Sequence, residues 1–327
     1  MTPPRVLCLG EILFDFLANQ PGLPPDQVRS WTPYAGGAPA NVAFALTKLG
    51  TSAGFIGCVG QDQSGEELIR LLDEAGVDRS GIQRYPAPTR KVSVVLSETG
   101  DRTFAGFRGG YQASDFADAY LQADLLPTSL FETADFLVLG TLELAYPDSR
   151  AAIERAISLA EQHYVKILVD INWRPMFWPD LAVAIPLIQI LLKQVDFLKL
   201  SVEEAEWLFG TSDPGAIGHR LGNVEGVLVT AGAAGCAYCL SNHEGRLSAF
   251  EVDVEDTTGA GDGFVAGFVH QLCTRGWPAL QEADQVRDVV IYASAVGALT
   301  ALRPGAIAAQ PTGAEVDAFL YLNHLNS

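Results

Sequence analysis

Apolar runs of strand length alternate with segments of helical apolar spacing through most of the chain. Six runs have the length of buried strands: Val6–Leu9, 54–59, Phe136–Leu139, 167–170, 197–200 and 227–230. Segments of helical spacing separate or follow them: Ala38–Leu49, 65–75, 148–163, Val202–Phe209, 261–274, 283–302 and Gly313–Leu325. Apolar strands joined through helices are typical of βαβ units. The pattern therefore predicts an α/β protein with a mainly parallel sheet covered by helices on both faces.

Two stretches, 12–35 and 91–108, do not follow this alternation. The first is rich in Pro and Gly. In the second, apolar and polar residues alternate on both sides of residues 98–101, which predicts two strands joined by a turn. We expect them to form a small projecting sheet that acts as a lid over a cleft. Because no linker separates any part of the chain, residues 1–327 are predicted to form a single domain with two lid insertions.

Composition limits the classes of partner. The 327 residues include 21 Lys and Arg against 39 Asp and Glu, which gives a formal net charge of −18 and argues against a nucleic-acid partner. The longest uncharged apolar run, 181–192, is too short to span a bilayer. Glu11 and Asp15 would interrupt the apolar part of an export signal. We therefore expect no membrane partner and a cytoplasmic protein.

A glycine-containing turn at residues 256–262, with the sequence Asp-Thr-Thr-Gly-Ala-Gly-Asp, immediately precedes an apolar helix. The free amides and positive dipole end of a helix N-terminus attract phosphate. Asp262 would lie beside those amides, and a carboxylate next to bound phosphate is a candidate base for a hydroxyl nucleophile. The segment indicates phosphoryl transfer onto an alcohol.

A second glycine turn, Gly36-Gly37 followed by Ala-Pro-Ala-Asn41, opens another predicted helix. Taken alone, it is most simply an ordinary tight turn with proline in the first helical turn. Glu11 and Asp15 follow the first predicted strand, and ligands of open parallel sheets bind at the carboxyl ends of strands. The two segments together predict a polar cluster in which Asp15 and Asn41 bind a polyol.

Three further segments follow predicted strands, and each has a structural and a functional interpretation. Arg174 either belongs to a capped strand end or lies over a phosphate or a sugar hydroxyl. Ser201 and Glu204 match a capping box, and Glu204 is also suited to hold a hydrated Mg²⁺. The segment 230–235 is typical of a hairpin and would admit a nucleotide only within a larger site. The sequence lacks a Walker motif, which excludes a P-loop kinase.

These motifs resemble those of the PfkB or ribokinase-type carbohydrate kinases, and within that family the fructokinases. Segments 36–41 and 256–262 match the family's two motifs, and 10–16, 170–178 and 199–204 resemble the fructokinase branch in order and spacing. The resemblance covers nearly the whole chain. It implies a ribokinase-like three-layer fold, with a mainly parallel central sheet flanked by helices and a small projecting β lid. It also implies ATP as phosphate donor, with Mg²⁺ and often K⁺.

The resemblance also implies roles for individual residues. Asp262 would be the base, and Gly259, Ala260 and Gly261 would form the anion hole around the γ-phosphate. The residues implied on the substrate side are Asp15, Gly36, Gly37, Asn41, Arg108 and Arg174. Those implied on the nucleotide and metal side are Lys199, Thr230, Gly232, Gly235 and Ser294 for ATP, Glu204 for Mg²⁺, and Asp256 and Thr258 for K⁺.

The chain departs from the family pattern in three places. Ser201 stands where many members have Asn, and Ser294 replaces an Asn that is frequent near the adenine and cation site. Residues 109–111 read Gly-Gly-Tyr where fructokinases commonly have Asn-Pro. These departures leave the sugar, the nucleotide preference and the K⁺ dependence open.

The resemblance implies ATP-dependent phosphorylation of D-fructose at the 6-hydroxyl. One alternative keeps the chemistry and changes the acceptor to 2-keto-3-deoxygluconate, ribose or a nucleoside. In that case Arg108 and Arg174 could bind a sugar carboxylate. A second alternative is a non-catalytic relative that binds sugar or nucleotide. An unpaired edge of the lid sheet is an association hazard, so a homodimer formed through the lid is a further expectation.

Overall fold

The computed structural model describes residues 2–97 and 102–325, so the turn predicted at 98–101 lies outside the described residues. The strands are β1 Val6–Leu9, β2 Leu13–Ala18, β3 Trp31–Gly36, β4 Ala53–Gly60, β5 Asp78–Tyr85, β6 Lys91–Leu96, β7 Arg102–Phe107, β8 Phe136–Leu139, β9 Lys166–Asp170, β10 Phe197–Ser201, β11 Gly226–Thr230, β12 Cys236–Leu240 and β13 His243–Leu247. The helices are α1 Ala38–Leu49, α2 Gln63–Glu74, α3 Thr128–Phe131, α4 Pro147–Gln162, α5 Ala184–Leu191, α6 Val202–Phe209, α7 Pro214–Leu221, α8 Ala260–Arg275, α9 Ala283–Thr300 and α10 Gly313–Leu325.

Nine strands form the large sheet, in the order β13-β12-β11-β10-β9-β8-β1-β4-β5. Every neighbouring pair from β11 to β5 is parallel, and β12 and β13 add an antiparallel edge beside β11. Because parallel strands end at the same side of a sheet, the loops that follow β1, β9, β10 and β11 lie together. The predicted fold class, a mainly parallel sheet flanked by helices, is confirmed.

The central strands are buried on both faces, and their alternation divides the core into two layers. Val6 and Cys8 of β1 pack in one hydrophobic cluster, which includes α1, α8 and α9. Leu7 and Leu9 pack in a second cluster, which includes α4 and α5. Successive side chains of a strand point to opposite faces, so an uninterrupted apolar run is what a strand between two helical layers requires.

Four strands form a separate small sheet, in the order β3-β2-β6-β7. Its strands come from the two segments predicted as insertions. The register aligns Asp15 with Tyr34 and with Val92, so these three side chains share one face. Val92 and Leu13 on that face pack with Leu142, Tyr146 and Phe177 of the main body in a third cluster. The face that carries Asp15 therefore packs on the main body. The opposite face is called the outer face, although its Phe14 and Phe16 lie against the first cluster.

The sequence pattern did not predict every element. Strand β5 at the edge of the large sheet was not predicted, because Arg79, Ser80 and Arg84 leave it exposed and without an apolar run. Helix α9 ends at Thr300, two residues before the predicted end at residue 302. Among residues 2–97 and 102–325, no helix is both long and apolar enough to cross a membrane.

Candidate active site

Two helix N-termini and the ends of four parallel strands meet above one edge of the large sheet. The glycine loop, residues 36–41, leads into α1, and the turn at 256–262 leads into α8. They are joined directly, because Asn41 Nδ2 donates a hydrogen bond of 2.8 Å to Asp262 Oδ2. Residues separated by more than two hundred positions in sequence thus share one buried contact. This contact defines the centre of the candidate site.

The turn before α8 is fixed by its own side chains. Asp256 Oδ1 accepts hydrogen bonds from Thr258 N at 3.0 Å and Thr258 Oγ1 at 2.7 Å, and its Oδ2 accepts one from Gly305 N at 2.9 Å. Gly259 has a left-handed φ of 77°, and a Cβ there would lie 3.0 Å from Ala306 Cα. Glycine is therefore required on both conformational and steric grounds.

One amide of the predicted anion hole is already hydrogen-bonded within the turn. Ala260 N donates to Thr257 O at 3.2 Å, so this amide is partly committed to the turn itself. A Cβ on Gly261 would lie 3.2 Å from Lys199 Nζ, which places the ammonium group against the first turn of α8. The positive end of the helix and a buried cation thus lie side by side, which is a favourable environment for phosphate.

Burial raises the pKa of Asp262, which is 9% exposed. The hydrogen bond from Asn41 and the positive charges of Lys199 and Arg174 oppose this rise but do not cancel it. Asn41 Oδ1 is buried and has no hydrogen-bond partner among the described residues. A buried acceptor without a donor is costly, so a ligand hydroxyl at this position would be stabilised.

Lys199 forms a buried ion pair with Asp170. Its Nζ lies 3.0 Å from Asp170 Oδ1 and 3.1 Å from Oδ2, because the two residues are direct neighbours in the register of β10 and β9. Burial lowers the pKa of Lys199, but the negative charges of Asp170 and Glu204 outweigh it and the pKa is raised. Burial raises the pKa of Asp170 to about 6, against the effect of Lys199. Lys199, which was predicted on the nucleotide side, thus lies close to Asp262.

Sequence reasoning did not select Asp170 as a site residue. The signal that could have identified it is its position as the last residue of a buried parallel strand, directly beside Lys199. A carboxyl group at such a position faces the ligand side of the sheet. A strand-end cap was an equally good interpretation from the sequence alone.

The glycine loop is held by Glu11. Glu11 Oε1 accepts a hydrogen bond of 2.8 Å from Ala38 N, and a Cβ on Gly37 would lie 2.4 Å from Glu11 O. Gly37 has φ 111°, a conformation that favours glycine. On the other side of the loop, a Cβ on Gly36 would lie 3.2 Å from Asp15 Oδ2. The structure therefore brings Asp15, Gly36 and Gly37 together on the same loop as Asn41.

Glu204 joins two loops at the strand ends. It forms the predicted capping box with Ser201, and its Oε2 accepts from Ser201 N at 2.7 Å. Its Oε1 accepts from Trp173 N at 2.6 Å, which fixes the loop that carries Arg174. Asn172 in this loop has a left-handed φ of 40°, which Asn tolerates better than most residues.

Glu204 remains chemically suited to Mg²⁺. Each of its oxygens accepts one amide and keeps a second lone pair, which a metal-bound water could use. The described residues contain no group of three or more acidic, His or Cys side chains arranged as a metal cage. Such a cage is not needed, because Mg²⁺ is usually held by one or two carboxylates together with substrate phosphates and water. Glu204 therefore fits a water-mediated magnesium site.

A cavity of about 260 Å³ lies beside the ends of β10 and β11 and is lined by Val202, Val229, Ala231, Cys236 and Arg246, among others. Thr230, Gly232 and Gly235 lie in the adjoining turn. Glycine is needed at 235 for its left-handed φ of 93° and because a Cβ there would collide with Leu247 O. Ser294 lies behind the cavity wall: its Oγ donates to Val290 O and is 3.7 Å from Cys236 Sγ.

The structure separates Arg108 from the other residues predicted to bind the sugar. Its guanidinium group lies 4.3 Å from the ring centroid of Phe16 and 5.4 Å from that of Trp31. Phe16 follows Asp15 in β2, so its side chain points to the opposite face of the small sheet. Cation–π contacts hold Arg108 on that outer face. Arg108 lies there because successive side chains of an extended strand point to opposite faces, so Phe107 points to the inner face and Arg108 to the outer face.

Comparison with known proteins gives consistent results. The model of the family described as pfkB family carbohydrate kinase matches residues 3–313. The chain is 34% identical over 319 residues to a probable fructokinase-2 of Arabidopsis thaliana, covering 96% of this chain and 95% of that protein. A fructokinase from Xylella fastidiosa, solved with bound ATP, superposes with a TM-score of 0.88 at 30% identity and covers 98% of both chains. A double-mutant fructokinase from Vibrio cholerae O395, containing fructose, ADP and a potassium ion, has a TM-score of 0.84 at 28% identity, covering 97% of this chain and 98% of that one.

Proposed function

The chain belongs to the pfkB family of carbohydrate kinases, and we propose that it is a fructokinase that transfers the γ-phosphate of ATP to the 6-hydroxyl of D-fructose. The observation that carries this proposal is the contact between Asn41 and Asp262 at the start of α8. It combines a buried base, an unpartnered acceptor and a helix N-terminus in one place. These are the groups that phosphoryl transfer to an alcohol needs.

Asp262 is the base of the proposed reaction. It takes the proton of the 6-hydroxyl as that oxygen bonds to the γ-phosphorus, and the bond between the γ-phosphorus and the bridging oxygen breaks to release ADP. Burial raises the pKa of Asp262, which makes the carboxylate a better proton acceptor than an exposed aspartate. The Asn41 hydrogen bond keeps the carboxylate oriented and, together with the nearby cations, limits the rise.

Lys199 and Arg174 supply positive charge near the transferring phosphate. The Lys199 ammonium group lies against Gly261, and the positive charge of Arg174 acts on Asp262. In a chain of formal charge −18, an anionic substrate must be met by local groups of this kind. Phosphoryl transfer depends mainly on positioning and on charge stabilisation, so these two cations carry much of the proposed catalysis.

ATP is proposed to occupy the cavity beside Thr230, Gly232, Gly235 and Ser294, with its phosphates toward Gly259, Ala260, Gly261 and Lys199. Glu204 would hold Mg²⁺ through water, and Asp256 and Thr258 would lie at a K⁺ site. When bound, Mg²⁺ neutralises phosphate charge, and K⁺ would stabilise the turn before α8. The side chain of Asp256 already organises that turn through three hydrogen bonds, which supports its place at the edge of a cation site.

Asp15, Gly36, Gly37 and Asn41 are proposed to bind the sugar. Fructose is favoured over a sugar acid because Arg108 lies on the outer face of the small sheet, so Arg174 is left as the one predicted arginine near the cleft. A 2-keto-3-deoxygluconate kinase would need positive charge at the carboxylate in addition to that at the phosphates. Ribose and nucleoside kinases use the same chemistry, and the acceptor panel below distinguishes them.

The small sheet is proposed to act as a lid on a single kinase domain. Its inner face carries Asp15 and packs against the main body, whereas its outer face presents Phe16, Trp31 and Arg108. A second copy of the chain is proposed to cover this outer face, since a partly apolar sheet face of this kind is suited to association.

A coupled assay of ADP release tests the proposed function. The purified protein is given ATP and Mg²⁺ with fructose, 2-keto-3-deoxygluconate, ribose or adenosine, with and without K⁺. We expect the highest kcat/KM with fructose and a product phosphorylated at the 6-position. A higher kcat/KM with the sugar acid, ribose or adenosine would identify that compound as the acceptor in place of fructose. A lack of ADP release with all four would favour a non-catalytic relative.

A further inference from the structure

A buried carboxyl group without a hydrogen-bond partner lies beneath the glycine loop. Glu143 follows β8 and is 1% exposed, and neither of its carboxylate oxygens has a partner within the described part of the chain. A Cβ built on Gly10 would lie 3.2 and 3.3 Å from these oxygens and 2.5 Å from Pro39 Cγ. The carboxyl group therefore packs between the end of β1 and the first turn of α1.

The neighbour of this carboxyl group is Glu11, which holds the glycine loop. Glu11 is 5% exposed and accepts the hydrogen bond from Ala38 N. Its negative charge acts on Glu143. Both carboxyl groups lie near the start of α1, Glu11 at Ala38 N and Glu143 near Gly10, whose added Cβ would also meet Pro39. Two ionised carboxylates in a space closed to water would repel each other strongly.

The charges around the pair do not neutralise it. The charges of Asp118 and Asp262 act on Glu11, and those of Asp118 and Arg90 act on Glu143. Arg90, the cation among these groups, is bound by Asp118 through bonds of 2.5 and 2.7 Å. Asp118 therefore balances most of the positive charge of Arg90, and little of it is left to stabilise an ionised Glu143. Burial raises the pKa of Glu143 well above its ordinary value and the pKa of Glu11 to about 7.

We propose that Glu143 is a positioning residue that stays protonated beside Glu11, so that Glu11 can keep its bond to Ala38 and hold the glycine loop in place for the sugar. This inference rests on the proposed function, because the loop's role is sugar binding. Ionisation of both groups would push Glu11 away from Ala38 and release the loop.

The direction of the pH effect follows from the raised pKa values. The folded chain binds more protons than the unfolded chain between the ordinary glutamate pKa of about 4.3 and the raised values, which begin at about 7 for Glu11. The stability associated with the pair is thus fully present below the ordinary pKa and is lost as pH rises through the raised values. Affinity for the sugar is expected to weaken in the same direction.

The variant Glu143→Gln tests this proposal, because glutamine has the same shape and cannot ionise. For the natural chain, we expect the KM for fructose to rise about three- to tenfold between about pH 6.5 and pH 9, the effect of losing one hydrogen bond. The KM for ATP should change much less over this range. In Glu143→Gln the KM for fructose should stay level, and the exposed-site control Glu154→Gln should behave like the natural chain.

Thermal unfolding of the same three proteins provides a measurement that needs no substrate. The Tm of the natural chain should fall with rising pH relative to that of Glu143→Gln, even if another sugar or none is the acceptor. The alkaline loss of Tm should be smaller in Glu143→Gln than in the natural chain, although the raised pKa of the buried Glu11 leaves part of it. An equal loss in the two proteins overturns the inference. A fructose KM that depends on Na⁺ or K⁺ in the natural chain, but not in the variant, would instead indicate a bound cation and would also overturn it. If Glu143→Gln does not fold, Glu11→Gln is used; it should reduce the alkaline loss of Tm, and its side-chain oxygen can still accept the hydrogen bond from Ala38 N.

Discussion

Asp262 is surrounded by one neutral donor, Asn41, and two cationic groups, Lys199 and Arg174. Burial alone would favour the protonated form of the carboxyl group, and these three groups favour the ionised form. A carboxylate held in this balance remains available as a base while being more basic than one in water. At the scale of single residues, the candidate chemistry is therefore set by neighbours contributed from three different segments.

Asp262→Asn should lower kcat by about 10²- to 10⁴-fold, the effect expected from removing an acid-base group. The amide keeps the size of the side chain, so ATP and fructose should still bind in calorimetry. Asp284→Asn, in the first turn of α9, serves as the matched control and should keep normal turnover. Near-normal turnover in Asp262→Asn would exclude Asp262 as the base.

At the scale of elements, contacts between strands, a helix start and a loop bring the site residues together. β9 and β10 are in parallel register, which places Asp170 beside Lys199. The N-terminus of α6 is closed by Ser201 and Glu204, and the same glutamate binds the amide of Trp173 in the loop after β9. One capping box therefore holds both a helix start and the loop that carries Arg174.

Ser201→Ala should destabilise the protein by about 0.5–2 kcal/mol, the usual cost of losing a helix cap. It should also raise the KM for ATP with Mg²⁺, because Glu204 loses part of its support. Thr312→Ala removes a hydroxyl that accepts from the Glu315 amide at the start of α10, and it provides a matched control because it leaves Glu204 untouched. Denaturant unfolding and steady-state kinetics measure the two effects. Equal changes in KM in the two variants would contradict a link between this cap and the site.

The whole molecule combines a nine-stranded body with a small sheet that has two different faces. The inner face of the small sheet packs on Leu142, Tyr146 and Phe177 of the body. The outer face presents an arginine stacked on two aromatic rings. The strong negative charge of the chain opposes self-association in general, so any contact between copies should use a local surface of this kind.

Trp31→Asp should therefore convert a dimer into a monomer, because it places a charge on the outer face of the small sheet. Sedimentation velocity on the natural chain and the variant measures the change. Tyr164→Asp is the control, since Tyr164 is 91% exposed on the main body and should leave association unchanged. A monomeric natural chain, or a dimer that persists in Trp31→Asp, would contradict dimerisation through this face.

Elements whose conformation depends on residues close in sequence could be predicted from the sequence alone. Buried parallel strands need continuous apolar runs, helices need periodic ones, and the turn before α8 needs glycine at 259 for its left-handed φ. The parallel strands of the large sheet, apart from its exposed edge β5, and the capping box at Ser201 could be predicted for these reasons. The turn at 256–262 and its helix were also predictable, because a helix N-terminus is marked by residues close in sequence.

The contacts across the fold depended on tertiary structure. Asn41 meets Asp262, Lys199 meets Asp170, and Glu143 lies beneath the loop held by Glu11, because packing brings distant strand ends to one edge. The side of the small sheet on which Arg108 lies follows from strand register, which composition does not fix. The sequence by itself determined the fold class and the chemical groups. The tertiary structure decided which of those groups share a buried, water-poor space, where their mutual charges and pKa values are set.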